Sequence, residues 1–364
     1  MKKSIKTVII IFIINFALVL QGQTINRYGT TTANFLEIGV GSSAGAMGEA
    51  YVAMANDVSS IYWNPAGLAG LKSSSALFVI QPWFVDINML FTGGAFAMPG
   101  IGVIGFGITN LDYGEMDVTT LEYQDGTGEQ FRATDMAATL TFSRNIVSWF
   151  SFGSSMKYIK SNIWHSSASA FAVDLGVLVN TKFFSFTGRD EDGMNIGMSI
   201  SNYGTRMKYD GIDVYQPIDI SEFEEGNYGD VAGQFRTSEW ELPLIFRIGV
   251  TLKPISTKFT TLTLAADALH PNNNAESVNI GAELNNKIPG FGEISLRGGM
   301  KSGMDDLFVD EMNETNNIAF KFGGTAGAGV KIHLFGNRTI TVDYAYRTMG
   351  VLGGVQAYTV GFTF

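Results

Sequence analysis

From residue 75 onward the chain repeats one pattern: short segments in which apolar residues alternate with polar or small ones, each followed by a turn or loop. Side chains of a strand point alternately to its two faces, so such a segment has one apolar face and one polar or small face. In residues 241–251, Leu242, Leu244, Phe246, Ile248 and Val250 oppose Pro243, Ile245, Arg247, Gly249 and Thr251. In the last segment, Tyr358, Val360, Phe362 and Phe364 oppose Ala357, Thr359, Gly361 and Thr363. The pattern predicts strands over residues 75–85, 88–98, 101–113, 132–143, 149–160, 168–181, 193–203, 241–252, 259–269, 276–285, 291–301, 317–333, 339–347 and 355–364. That is an even number, fourteen, as a closed antiparallel barrel of a bacterial outer membrane requires.

The connections agree with this reading. Long ones, residues 114–131, 204–240 and 302–316, follow odd strands, whereas those after even strands are short, with residues 182–192 the longer exception. Long outer loops and short periplasmic turns are the asymmetry of such barrels. The strands of a soluble barrel would alternate too, but with their apolar faces inward. Here, however, the opposite faces carry Arg247, Asp267, Glu283, Arg297, Asp343 and Arg347, charges that only a polar lumen receives without a large desolvation cost. These six are expected to point inward and pair into a network that fixes the plug described below. Composition points the same way: 46% of residues are hydrophobic and only 16% charged, against roughly 25% charged in soluble domains. A formal net charge of −10 argues against nucleic acid as a partner. The chain has no cysteine, which excludes thiolate metal sites and a cysteine nucleophile.

The amino-terminal part divides in two. Lys2, Lys3 and Lys6 followed by the apolar run Val8 to Leu20 read as a signal peptide over residues 1–22, with cleavage near Gly22 or Gln23. The protein is therefore expected in the outer membrane of a Gram-negative bacterium, surrounded by its lipid. Residues 23–74 precede the barrel of residues 75–364. Small residues crowd Gly39 to Ala55, and Ala44 to Ala55 is expected to form a short helix. Asn64-Pro65 starts a turn. Such irregular backbone is tolerated at membrane depth only where protein or water surrounds it, so the segment is expected inside the barrel as a hatch or plug. The fold class expected is all-β: a 14-stranded antiparallel transmembrane β-barrel with a small N-terminal helical hatch.

The run Tyr62-Trp63-Asn64-Pro65-Ala66-Gly67-Leu68, with Ala46 through Ala55 before it, resembles the amino-terminal signature of the PorV/PorQ family, within the wider FadL-like group of outer-membrane proteins. The resemblance continues at Leu242-Pro243-Leu244 with Phe246-Arg247, at Ala266-Asp267 with His270-Pro271-Asn272, at Gly281-Ala282-Glu283, at Leu296-Arg297-Gly298-Gly299 and at Asp343-Tyr344-Ala345-Tyr346. It implies a fourteen-stranded barrel with a hatch, associated with type IX secretion, in which such proteins hand exported cargo to the surface. Resemblance to outer-membrane barrels also implies that the aromatic end, Tyr358, Phe362 and Phe364, is read by the outer-membrane assembly machinery.

Two enzyme motifs occur without their frame. Gly41-Ser42-Ser43-Ala44-Gly45 spells the nucleophile elbow, but the elbow needs an α/β sheet, an acid and a histidine in order. Gly39-Val40-Gly41 with Ala44 fits a dinucleotide fingerprint, but no βαβ unit follows. Asp190, Asp192 and Asn195 lack the rest of a calcium loop, and three scattered histidines without cysteine make a poor zinc site. No cofactor and no catalysis are expected. The longest loop is acidic yet carries Tyr215, Phe223, Tyr228, Phe235 and Trp240, residue types enriched at binding hot spots. The leading expectation is a non-enzymatic partner of secretion components or secreted cargo. The rival expectation is a FadL-like channel for small hydrophobic molecules.

Overall fold

The computed structural model describes residues 27–189, 192–218, 231–303, 323–334, 338–349 and 352–364. The signal peptide expected over residues 1–22 lies outside them. Fourteen long strands form the barrel: β1 Ser75–Pro82, β2 Asn88–Met98, β3 Gly102–Asp117, β4 Gln130–Val147, β5 Phe150–Ile163, β6 Ser166–Asn180 and β7 Asn195–Gly204, then β8 Ile245–Ser256, β9 Thr260–Pro271, β10 Ser277–Ile288, β11 Gly292–Gly303, β12 Gly323–His333, β13 Thr339–Thr348 and β14 Gly354–Thr363. Each pairs antiparallel with its chain neighbours, and β1 pairs with β14, Ser75 opposite Thr363 through Ile80 opposite Tyr358. The ring therefore closes with no free edge, which lipid demands, since an unpaired backbone group there has no water to bond. Among the described residues no helix is long and apolar enough to cross a membrane; the crossing elements are the strands.

Alternation sorts side chains as the sequence suggests. On β3, Val103, Gly105, Gly107 and Leu111 are buried inside, while Ile104, Phe106 and Ile108 are exposed on the outer face. The outer face is apolar around the ring, with Phe78, Leu140, Phe171 and Val342 among its exposed side chains. One end of the barrel, the turn end, has mostly short connections, and each of its turns carries an exposed apolar residue: Ile101, Trp149, Phe183, Phe259, Phe291 and Leu334. This matches the girdle that marks a membrane boundary. The other end, the loop end, carries residues 118–129, 205–218 and 231–244.

Element bounds differ from the sequence pattern in instructive places. β3 and β4 run on to Asp117 and from Gln130 because pairing resumes past a bulge between Asp112 and Glu115, where Gly114 takes φ +80° and Arg132 pairs with Asp112. Polar strand extensions beyond the lipid carry no alternation to read. The strand expected from residue 241 starts at Ile245, because Trp240 pairs instead with Met207 across the mouth of the long loop. Within that loop Tyr215–Ile218 and Val231–Gln234 form a small hairpin. The strand expected from residue 317 is described from Gly323 onward, the residues before it lying outside the described set.

Candidate functional site: the filled lumen and the loop-end mouth

Residues 33–71 occupy the barrel interior, touching the inner wall on nearly every side. The helix expected over Ala44 to Ala55 is shorter, Ser42–Ala46. It stops because Gly48 and Glu49 both turn left-handed, at φ +65° and +67°. A Cβ on Gly48 would sit 2.5 Å from the Met300 backbone nitrogen, so only glycine lets the plug backbone lie against β11 there. The wall reciprocates. A Cβ added at Gly153, Gly176, Gly197, Gly281 or Gly299 would strike plug backbone or the Asn64-Pro65 pair. Inward glycines thus mark where backbone meets backbone.

The hatch motif has a physical rationale. Asn64, fully buried, donates from Nδ2 to the Val52 carbonyl (2.9 Å) and to the Val177 carbonyl of β6 (3.0 Å). Its Oδ1 accepts from the Ala66 nitrogen at 3.1 Å, capping the 3₁₀ turn Pro65–Gly70. Pro65 fills the first helical position, where its missing N–H costs nothing. Gly67 packs so closely on the Ala55 carbonyl that a side chain is excluded. Ala66 is fully buried, and Ser143 Oγ donates to its carbonyl at 3.2 Å. Tyr62 OH donates to the Leu36 carbonyl at 3.1 Å and Trp63 Nε1 to the Val40 carbonyl at 2.8 Å, which ties the plug to itself.

All six charged residues expected in the lumen face inward, but the structure replaces the single network with separate contacts. Arg297 bridges wall to wall, with Nε 2.6 Å from Glu283 Oε2 and Nη1 2.5 Å from Asp343 Oδ1. Asp267 Oδ2 accepts from the backbone nitrogens of Tyr51 (2.7 Å) and Val52 (2.8 Å). Arg247 lies over the rings of Tyr62 and Trp63, 5.3 and 5.6 Å from their centroids, and Nη1 donates to Ser201 Oγ at 3.0 Å. Such a desolvated cation over aromatic faces is worth about 2 kcal/mol. Arg347 pairs with Glu49 and stacks over Trp83.

Glu49 is the tie that the sequence pattern does not reveal, being one acid in a stretch of small residues. It is buried, accepts from Lys301 Nζ at 2.5 Å and pairs with Arg347. Burial alone would raise its pKa, but Lys301 and Arg347 override that and hold it down at about 2. Burial keeps Glu37 and Asp57 above the ordinary carboxylate range, only partly offset by hydrogen bonds from Asn273 and Ser59 respectively. A second buried pair, Lys157 with Asp174 at 2.6 Å, fixes the left-handed Asn202 of β7, whose nitrogen donates to Asp174 and whose Oδ1 accepts from Lys157. It too was missed, because single charges in Ser- and Ala-rich strands give no pattern.

Space between plug and wall is small where it is described. Two cavities, one beside Gln81 and Arg347 and one beside Phe35, Phe91 and Lys157, hold about 10 Å³ each, room for about one water apiece. At the mouth, Tyr215, Phe235 and Trp240 are exposed; Phe223 and Tyr228 lie outside the described residues. Tyr358, Phe362 and Phe364 face outward at the last strand. Asp192 is no free calcium ligand: Arg189, Thr187 and Ser256 donate to it, and Asp190 lies outside the described residues. His165 and His270 pair with Asp213 and Glu276 near the loop end.

A closed antiparallel barrel with apolar outer walls and a segment packed inside it is the architecture of a plugged outer-membrane barrel. The fold resembles the toluene transporter TodX of Pseudomonas putida, with TM-score 0.52 and 11% identity over 89% of this chain and 96% of that one. It also resembles the monoaromatic hydrocarbon channel CymD, with TM-score 0.52 and 7% identity over 92% and 97%. The toluene transporter TbuX of Ralstonia pickettii gives TM-score 0.51 and 9% identity over 89% and 97%. At such identities the likeness concerns fold alone. No curated protein sequence matches the chain. The family model of the type IX secretion system protein PorV matches residues 21–222, over half the chain, and the protein belongs to that family. It is an outer-membrane barrel associated with type IX secretion.

Proposed function

We propose that this barrel works as a non-enzymatic docking partner in type IX secretion, meeting cargo or translocon components through its loop end, rather than as a conduit. The observation that carries this reading is the plug backbone packed against inward wall glycines, with the two cavities beside it, about 10 Å³ each, far below the roughly 300 Å³ of a small-molecule pocket. Family membership supports the partner role. The loop end faces outward in this reading and the turn end faces the periplasm, after export directed by residues 1–22. The hatch motif, with Arg247, Asp267 and Arg347 among the inward charges, then serves to seat the plug. The long loop, with Tyr215, Phe235 and Trp240 exposed and Phe223 and Tyr228 in sequence between them, supplies the contact.

Deleting residues 212–236 tests this. The stem holds without them, since Thr237 Oγ1 donates to the Tyr209 carbonyl at 2.7 Å and Met207 pairs with Trp240. The expected result is a folded, heat-modifiable barrel that no longer co-purifies with secretion components or cargo; retained partners would refute the loop's role. A second reading, a channel for small hydrophobic molecules, is favoured by the fold shared with hydrocarbon channels. It requires the plug to move. Uptake of a labelled hydrocarbon by cells making the intact protein, abolished by locking the plug, would replace the first reading.

A further inference from the structure

The path of the plug has a direction. Arg27, Thr31 and Thr32 meet loop-end connections, at Glu241 and Asn273. Thr31 bridges in parallel to Glu241, and the Thr32 nitrogen donates to the Glu241 carbonyl at 3.0 Å. Asn273, in the connection between β9 and β10, is buried and donates from Nδ2 to Thr31 Oγ1 (2.6 Å) and Glu37 Oε1 (2.5 Å). From there the contacts descend. Glu49 meets Lys301 near the loop end of β11, and Val52 meets Gly249 and Gly197 farther down. Asn64 reaches Val177, close to the turn end of β6, and the Ala69 carbonyl accepts from Asn145 Nδ2 at 2.9 Å, at the last residues of β4. β1 then begins at the turn end with Ser75.

We infer that the polypeptide threads the barrel from outside to inside, so that Arg27–Thr32 is displayed on the cell surface as part of the outer mouth. There it forms the edge of a three-part extended patch: Thr31–Thr32 beside Trp240–Glu241, itself beside Met207. The strap joins the amino-terminal side of the plug to the stem of the loop proposed to meet partners. A partner bound at that stem touches the strap as well, and through it the plug. The inference rests on the outward orientation of the loop end proposed above, and the test separates the two.

The chain has no cysteine, so single cysteines report cleanly. Thr30, Asn274 and Ser148 are all exposed, at the strap, at a loop-end connection and at a turn-end connection respectively. Thr30→Cys, Asn274→Cys and Ser148→Cys are expressed separately and treated with a membrane-impermeant maleimide, before and after permeabilising the cells. Heat-modifiability shows that each barrel is folded, and labelling of the purified protein in detergent shows that each thiol reacts in the folded state. Thr30→Cys and Asn274→Cys are expected to label equally in intact and permeabilised cells, and Ser148→Cys only after permeabilisation. Thr30→Cys behaving like Ser148→Cys while Asn274→Cys labels in intact cells would overturn the threading and leave the orientation standing. Ser148→Cys alone labelling in intact cells would overturn both.

Discussion

At the scale of single residues, Glu49 shows how a charge placed among small residues fixes a whole segment. It faces two cations, one buried (Arg347) and one partly exposed (Lys301). Removing one partner of a buried ion pair costs about 3 kcal/mol, because the other charge stays buried and alone. Glu49→Gln is therefore expected to lower the thermal midpoint of the folded barrel, read by gel shift after heating. Lys301→Met should cost less, since water screens its exposed ammonium. The pH dependence has a definite sign. The folded carboxyl titrates at about 2, below its ordinary 4.5. Its contribution is thus complete above pH 4.5 and is lost as pH falls through about 2. The parent should lose stability over that window more steeply than Glu49→Gln. Equal slopes would show that the pair does not seat the plug.

At the scale of elements, the wall glycines and the plug backbone form one fitted surface. Gly299→Ala would push a methyl group into the Met47-Gly48 peptide, whereas Gly324→Ala on the neighbouring strand meets nothing within 4 Å. The first is expected to unseat the plug and raise susceptibility of residues 33–71 to protease, and the second to leave both unchanged. Matching digestion patterns would contradict the fit. The last strand carries its own expectation. Phe364 is exposed and its nitrogen donates to the Ser74 carbonyl at 2.9 Å, across the closing seam. Its deletion should reduce the heat-modifiable fraction in membranes; unchanged assembly would remove Phe364 from the proposed signal. Strands were legible because lipid on one side and plug on the other impose a period of two. The plug was legible only as a segment that cannot be a strand. Its short helix, its left-handed Gly48-Glu49 corner and its course along the wall depend on contacts hundreds of residues away, which leave no local period. The Asn-Pro-Ala-Gly element stood out, but its bond to Val177 did not.

At the scale of the molecule, the question is what the filled interior permits. The intact barrel is expected to show little steady ion conductance in planar bilayers. Glu49→Gln should raise conductance more than Arg297→Ala, because Glu49 ties plug to wall whereas Arg297 ties wall to wall through Glu283 and Asp343. The reverse order would place the restraint on the wall cluster instead. The seam between β1 and β14 bears on how such an object is made. Both the nitrogen and the hydroxyl of Ser42, in the plug, bond to Thr359 on the final strand, at 2.9 and 2.8 Å. A plug residue and the final strand of the barrel thus share a contact inside a ring whose described strands all pair with their neighbours. The Thr359 that holds Ser42 takes its place only as the final strand joins the ring. Seating the plug and closing the seam are thereby coupled, so that each completed contact of the one adds to the hold of the other.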